Sequence, residues 1–234
     1  MNPLYERFNS ITLPYEYVVL PKANEAKATK IPGLFYFVNR VITGLTQQAF
    51  QRGGFTRSSK ISKWNASWGR QFEKPQYLNC QQWQKVNHFA GAFLMGRKDN
   101  FHQRITELKE RCPEITSFYP ESYLLPQEKE RFAEIFFNKK MWIFKPSASA
   151  RGCGIKLFDS SSKEAVPTQT GIYQVYIEKP FLITQRKFDL RFYALITSVN
   201  PIRIYLHENG LARFATHEYT DGSNTKDLRM HLTN

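Results

Sequence analysis

Trp142–Phe158 reads WIFKPSASARGCGIKLF. An apolar run delivers Lys145, a loop of Pro, Ser, Ala and Gly follows from Pro146 to Gly154, and a second apolar run, IKLF, returns. Two short strands joined by small residues make a hairpin. Small side chains let backbone N–H groups approach an anion closely, and Lys145 and Arg151 add positive charge. The loop is neither a GxxxxGK[ST] phosphate loop nor a GxGxxG turn. An ordinary hairpin with a basic tip therefore stands beside the phosphate-cradle reading.

Strand-like texture continues downstream. IYQVYI reads as a short strand and FDLRFYALIT as a longer one, with Lys187, Asp189, Arg191 and Tyr193 alternating onto one face. Cations and a carboxylate sharing a strand face are costly to bury without partners, so they suit a cleft that holds a charged ligand, although an exposed edge would also carry them. IRIYLHE is expected to pair with LARFAT across Asn209-Gly210, because that dipeptide between apolar runs is a strong hairpin signal. Upstream, residues 32–50 read as a strand followed by a helix, and residues 51–63 as a basic connection. Residues 101–112 have helical spacing closed by Pro113. ESYLL between Pro120 and Pro126 is strand-like, and EKERFAEIFFNKK is a helix with Phe132, Ile135 and Phe136 on one face. Helices early, strands late and hairpins together argue for an α+β architecture rather than a doubly wound parallel sheet.

Composition narrows the function. The 234 residues include 19 Phe and 12 Tyr and are 41% hydrophobic, which suits a folded chain and excludes a disordered one. No run reaches the length of a membrane span, and the first twenty residues have no apolar core of a secretory signal. Three scattered cysteines make neither a disulfide framework nor a zinc cluster, so a reducing, cytoplasmic setting is expected. The net charge is +13. Residues 1–112 carry 17 basic and 7 acidic side chains, a balance of +10. Such an excess points to an anionic partner. Nucleic acid is the weakest candidate, because the aromatics fall in apolar strand patterns rather than on a basic platform.

Nine blocks in order carry a resemblance: WNASWGR, QKVNHFAG, LMGRKDN, FYPESYLLP, WIFKPSASARGCGI, QVYIEKPFLI, KFDLRFYALITS, PIRIYLHENGLARFAT and MHLTN. Together they resemble the tubulin tyrosine ligase-like enzymes, amino-acid ligases of the ATP-grasp fold, and most of all the branch that adds glutamate to tubulin. The resemblance runs from Trp64 to Asn234. It implies a partial ATP-grasp fold: an N-terminal α/β region, the central subdomain and the beginning of the C-terminal subdomain. The domains expected are residues 1–63 as extension and basic loop, 64–115 as the N-terminal region of the ligase, and 116–234 as the partial ATP-grasp core.

The resemblance also implies roles. Lys145 matches a lysine at the ATP phosphates. Arg151 and Gly152 match the loop that closes over them, and there the arginine is also catalytic, linked to the protein acceptor. Gln174, Val175, Tyr176 and Ile177 match the segment that reads adenine, and Lys187, Phe188 and Asp189 a further nucleotide segment. Thr233 and Asn234 match a pair at the nucleotide, and Arg213 an arginine for the incoming glutamate. ATP and Mg²⁺ are the implied cofactors, with the metal ligands expected beyond residue 234. The implied partners are free L-glutamate and tubulin or microtubules through their acidic tails, with no nucleic acid and no membrane, and the chain is expected as a monomer. Its expected place is the cytoplasm, on the microtubule cytoskeleton, with the cilium or basal body as destinations. Because MHLTN closes the chain, it is expected to be the front part of a ligase, inactive alone. The alternatives are an inactive tubulin-binding fragment and a glycine ligase of the same family. Cys153 is expected as a small filler, His88 as a packing residue, and Trp64 and Trp68 as core.

Overall fold

The computed structural model describes residues 30, 32–60, 63–150, 152–163, 165–220 and 224–233, the side chain of Ile115 excepted. Of the extension and basic loop expected over residues 1–63, residues 1–29, 31, 61 and 62 lie outside them. The chain divides into two units between Ala90 and Gly91.

The first unit is built on a parallel sheet. Strand β1 (Phe35–Asn39) is followed by helix α1 (Gly44–Arg52), β2 (Thr56–Arg57), β3 (Ala66–Gly69), α2 (Lys74–Leu78) and β4 (Lys85–Val86), in the sheet order β2-β1-β3-β4. The strand and helix expected within residues 32–50 are present. The basic connection also contains β2, and its sheet joins residues on both sides of residue 63. Thr43 caps α1 by accepting from the Thr46 N–H. Trp64 is buried, but Trp68 is 40% exposed, with its ring edge against Phe50. The second tryptophan is therefore not core, although it shares the sheet face of buried Tyr36.

The second unit begins with α3 (Phe93–Gly96) and α4 (Lys98–Arg111), which Pro113 ends as expected. His102 of α4 is buried between Tyr119 and Glu128, and Glu128 also accepts the Leu124 N–H at 2.7 Å. That carboxylate thus fastens α4 to the strand β5 (Ser122–Leu125) and to the start of α5 (Lys129–Ile135). An antiparallel sheet follows in the order β5-β8-β6-β7, with β6 Met141–Lys145, β7 Lys156–Asp159 and β8 Gly171–Val175. Its face packs on α5 through Tyr123, Leu125, Phe132, Phe136, Trp142, Phe144 and Tyr173, and the Trp142 indole N–H donates to the Phe136 carbonyl at 2.9 Å. Phe132 and Phe136 lie four residues apart, one turn of helix, so both enter that core. Gly171 must be glycine: its φ is 150°, and a Cβ there would stand 2.5 Å from the Phe144 ring.

The last strands correct two expectations. FDLRFYALIT is two strands, β10 (Arg186–Arg191) and β11 (Ala194–Val199), so Tyr193 does not share a strand face with Lys187 and Asp189. The chain reverses at Asn200-Pro201. β12 (Ile202–Leu206) pairs with β11, and β13 (Leu211–Phe214) pairs with β10, which also pairs with β9 (Leu182–Ile183). Asn209-Gly210 therefore lies midway along a long two-stranded ribbon, opposite the break at Phe192–Tyr193. A Cβ on Gly210 would stand 2.6 Å from the Arg191 carbonyl oxygen. The glycine answers to that crowding rather than to a turn. A short helix, α6 (Leu228–His231), closes the described chain beside β10. The mixed α/β composition, with its separate sheets, agrees with the α+β class expected.

Candidate functional site

Strand pairing sets the site. Lys145 ends β6, and Gln174 lies on the neighbouring β8, two residues along on the same face. The Lys145 ammonium donates to Gln174 Oε1 at 2.6 Å, the Gln174 amide donates to Ser122 Oγ at 2.7 Å, and that hydroxyl donates to the Pro120 carbonyl. Three strands thus hold one lysine in place. Burial pushes the Lys145 ammonium below its ordinary value, and the nearby positive charge of Lys98 adds to the effect.

A second lysine reaches the same place from β10. Lys187 donates to the Tyr176 hydroxyl at 3.0 Å and stands 4.6 Å above its ring centroid. Burial, then repulsion from Lys145, brings Lys187 down to about 8. The tyrosine is oriented in turn by His231. Nε2 of that ring faces the Asn224 carbonyl at 2.7 Å and can only donate to it, so in the neutral ring Nδ1 accepts from the Tyr176 O–H, also at 2.7 Å. Burial holds the Tyr176 hydroxyl well above its usual range. It is a fixed neutral hydrogen-bonding group. Among the described residues, neither Lys145 nor Lys187 has a carboxylate partner.

Arg213 and Asp189 face each other across β13 and β10. The guanidinium grips the carboxylate with both Nε and Nη2, the first at 2.9 Å. That pairing, helped by Thr233, holds Asp189 below its ordinary range. Lys187 and Asp189 share one face of β10, with Arg213 and Thr233 on Asp189. Phe188 points the other way, stacked on Phe214 with centroids 5.6 Å apart, so its local work is packing. The N–H groups of Val175 and Tyr176 bond the carbonyls of Glu121 and Met141, while Ile177 beyond them is exposed. Gly152 has φ 75° in the loop after β6. Arg151 and Asn234 lie outside the described residues. Cys153 is exposed and fills no space in the core, because the loop lifts it off the sheet.

Three participants escaped the reading of the sequence. Ser122 and His231 act through Gln174 and Tyr176, and only strand register and a distant helix bring them there. Lys98 lies in the quoted LMGRKDN block, yet a lysine at a helix start has no pattern that marks it.

The family model described as the tubulin-tyrosine ligase family matches residues 76–234. The chain belongs to this family. The tubulin monoglutamylase TTLL4 of Mus musculus is 35% identical over 202 residues, covering 84% of this chain and 17% of its own length. The tubulin polyglutamylase ttll-4 of Caenorhabditis elegans is 36% identical over 200 residues, covering 84% and 33%. The probable tubulin polyglutamylase TTLL2 of Mus musculus is 30% identical over 229 residues, covering 92% and 42%. The chain therefore spans less than half the length of each of these relatives, and the site lies wholly within the matched segment. No helix among the described residues is long and apolar enough to cross a membrane.

Proposed function

We propose that this tubulin-tyrosine ligase family chain carries the nucleotide-binding part of an ATP-dependent ligase that adds glutamate to glutamate side chains of tubulin tails, on a partial ATP-grasp fold. The observation that carries the reading is the pair Lys145 and Lys187. They are two half-buried ammonium groups close enough to repel each other, and among the described residues no carboxylate neutralises either. Such an arrangement is costly unless an anion completes it. The relatives named for glutamylation of tubulin supply the acceptor and the amino acid.

A polyphosphate fits the residues present. Lys145 and Lys187 would neutralise its charge, Gln174 and Tyr176 would hold the two lysines in place, and the small-residue loop with Gly152 and Arg151 would close over it. With the Val175 and Tyr176 N–H groups already engaged in the sheet, backbone recognition of the base would fall to Ile177. ATP supplies the phosphoryl group that turns an acceptor carboxylate into an acylphosphate, open to attack by the amine of free glutamate. Arg213 would take the carboxylate of that glutamate, with Asp189 orienting its guanidinium, and Thr233 and Asn234 would complete the nucleotide site. The described residues do not hold three or more His, Cys, Asp or Glu side chains in a group suited to Mg²⁺. The +10 balance of residues 1–112 would draw an acidic tail of the microtubule cytoskeleton.

Titration calorimetry of the purified chain with ATP tests the nucleotide site. Binding by the wild type, lost on Lys145→Ala with the fold intact by circular dichroism, is the expected result. Equal affinity in the two proteins would reject it. Incorporation of labelled glutamate into microtubules by a full-length version, abolished by the same substitution, tests the ligase itself.

A further inference from the structure

Lys98, the first residue of α4, reaches the loop between β6 and β7. Its ammonium donates to the Pro146 carbonyl at 3.3 Å and to the Ser149 carbonyl. A trans peptide carries its C=O and N–H in opposite directions. Fixing the carbonyls of Pro146 and Ser149 on the α4 side therefore aims the N–H groups of Ser147 and Ala150 away from α4. The N–H groups of Ser147, Ala148, Ser149 and Ala150 make no hydrogen bond to any described residue. Successive backbone donors left in this way are what an anion cradle requires. We propose that Lys98 is a positioning residue that sets the phosphate-binding conformation of the Pro146–Ala150 loop by holding those two carbonyls. This rests on the nucleotide reading of the same site and adds a residue that acts through the loop backbone rather than on the ligand.

A residue that acts through backbone orientation is separable from one that acts by charge or by general support of the fold. Lys98→Gln keeps a long donor for the carbonyls and removes the charge, whereas Lys98→Ala removes both. In the free protein, ¹⁵N relaxation should give rigid order parameters, about 0.85, at Ser147, Ser149 and Ala150 in the wild type, falling below about 0.6 in Lys98→Ala and recovering in Lys98→Gln. By calorimetry, Lys98→Ala should weaken ATP roughly tenfold, as expected for lost charge-assisted bonds. It should change adenosine less than about twofold, since adenosine has no phosphate for the loop to receive, and Lys98→Gln should restore most of the ATP affinity. Unchanged order parameters in Lys98→Ala overturn the proposal whatever the nucleotide does. Equal loss in Lys98→Gln and Lys98→Ala, with the loop rigid in the glutamine variant, would assign Lys98 to direct charge and overturn it as well. A wild type that binds no ATP brings down the nucleotide reading and this inference together. ATP binding that is lost in Lys145→Ala but unchanged in Lys98→Ala overturns this inference alone.

Discussion

Replacing Lys187 with methionine should make the free protein more stable and a worse nucleotide binder. The folded chain holds this ammonium at about 8 because burial and Lys145 oppose its charge, against an ordinary value of 10.5. At about 1.4 kcal/mol per pH unit, the gap corresponds to roughly 3 kcal/mol, and partial screening by solvent reduces it to about 2 kcal/mol. Methionine keeps the length and apolar stem but forfeits the hydrogen bond and ring contact with Tyr176, at a cost of about 1 kcal/mol. The net gain near pH 7 is therefore about 1 kcal/mol. Its pH dependence has a definite sign. Between about 8 and 10.5 the unfolded lysine still binds its proton while the folded one has released it, so wild-type stability rises with pH across that window. The advantage of Lys187→Met should be full below pH 8 and fade toward pH 10.5. ATP affinity of the wild type should fall as pH rises through about 8, and that of the variant should be weak and flat. Urea unfolding of both proteins at pH 6.5, 8 and 9.5, with calorimetry alongside, measures both effects. If Lys187→Met is the less stable protein at pH 6.5 by an amount that does not vary with pH, the reasoning about an uncompensated buried cation is wrong.

Other consequences follow from the same geometry. Gly171→Ala drives a methyl group into the Phe144 ring and should cost about 2–4 kcal/mol, visible as a lowered Tm; an unaltered Tm would refute the crowding argument. In a full-length version, Arg213→Ala should raise KM for glutamate while leaving ATP affinity close to wild type. An ATP loss as large as that of Lys145→Ala, with KM unmoved, would remove Arg213 from the amino-acid site. Co-sedimentation with microtubules should weaken as salt rises past about 0.15 M, where the Debye length is roughly 8 Å, and equal binding to microtubules stripped of their tails would count against the acidic-tail reading.

The local elements were legible because local rules governed them. MWIFK and SYLL are strands flanked by proline or small-residue loops, α4 stops at Pro113, and Phe132 of α5 with Phe136 of the 3-10 turn that follows it marks the buried stripe. The succession of motifs carried the family membership, and the charge balance of residues 1–112 needed nothing but the sequence. The pairing of distant strands did not follow. Asn209-Gly210 carried a turn signal that the ribbon overrode, because β12 pairs with β11 and β13 with β10, which leaves neither to pair with the other. The parallel sheet of the first unit was hidden for a related reason: its strands are two to five residues long, too short to show a period, and their partners lie across intervening helices. At the site, the sequence alone supplied Lys145, Lys187 and Arg213 as residue types suited to anions. Only the tertiary structure decided that the two lysines share one half-buried place while Asp189 grips the Arg213 guanidinium, and that Ser122 hydrogen-bonds Gln174, His231 hydrogen-bonds Tyr176 and Lys98 hydrogen-bonds the loop after β6. Charge and local pattern are written along the chain, whereas the cost of burying a charge depends on what the fold brings beside it.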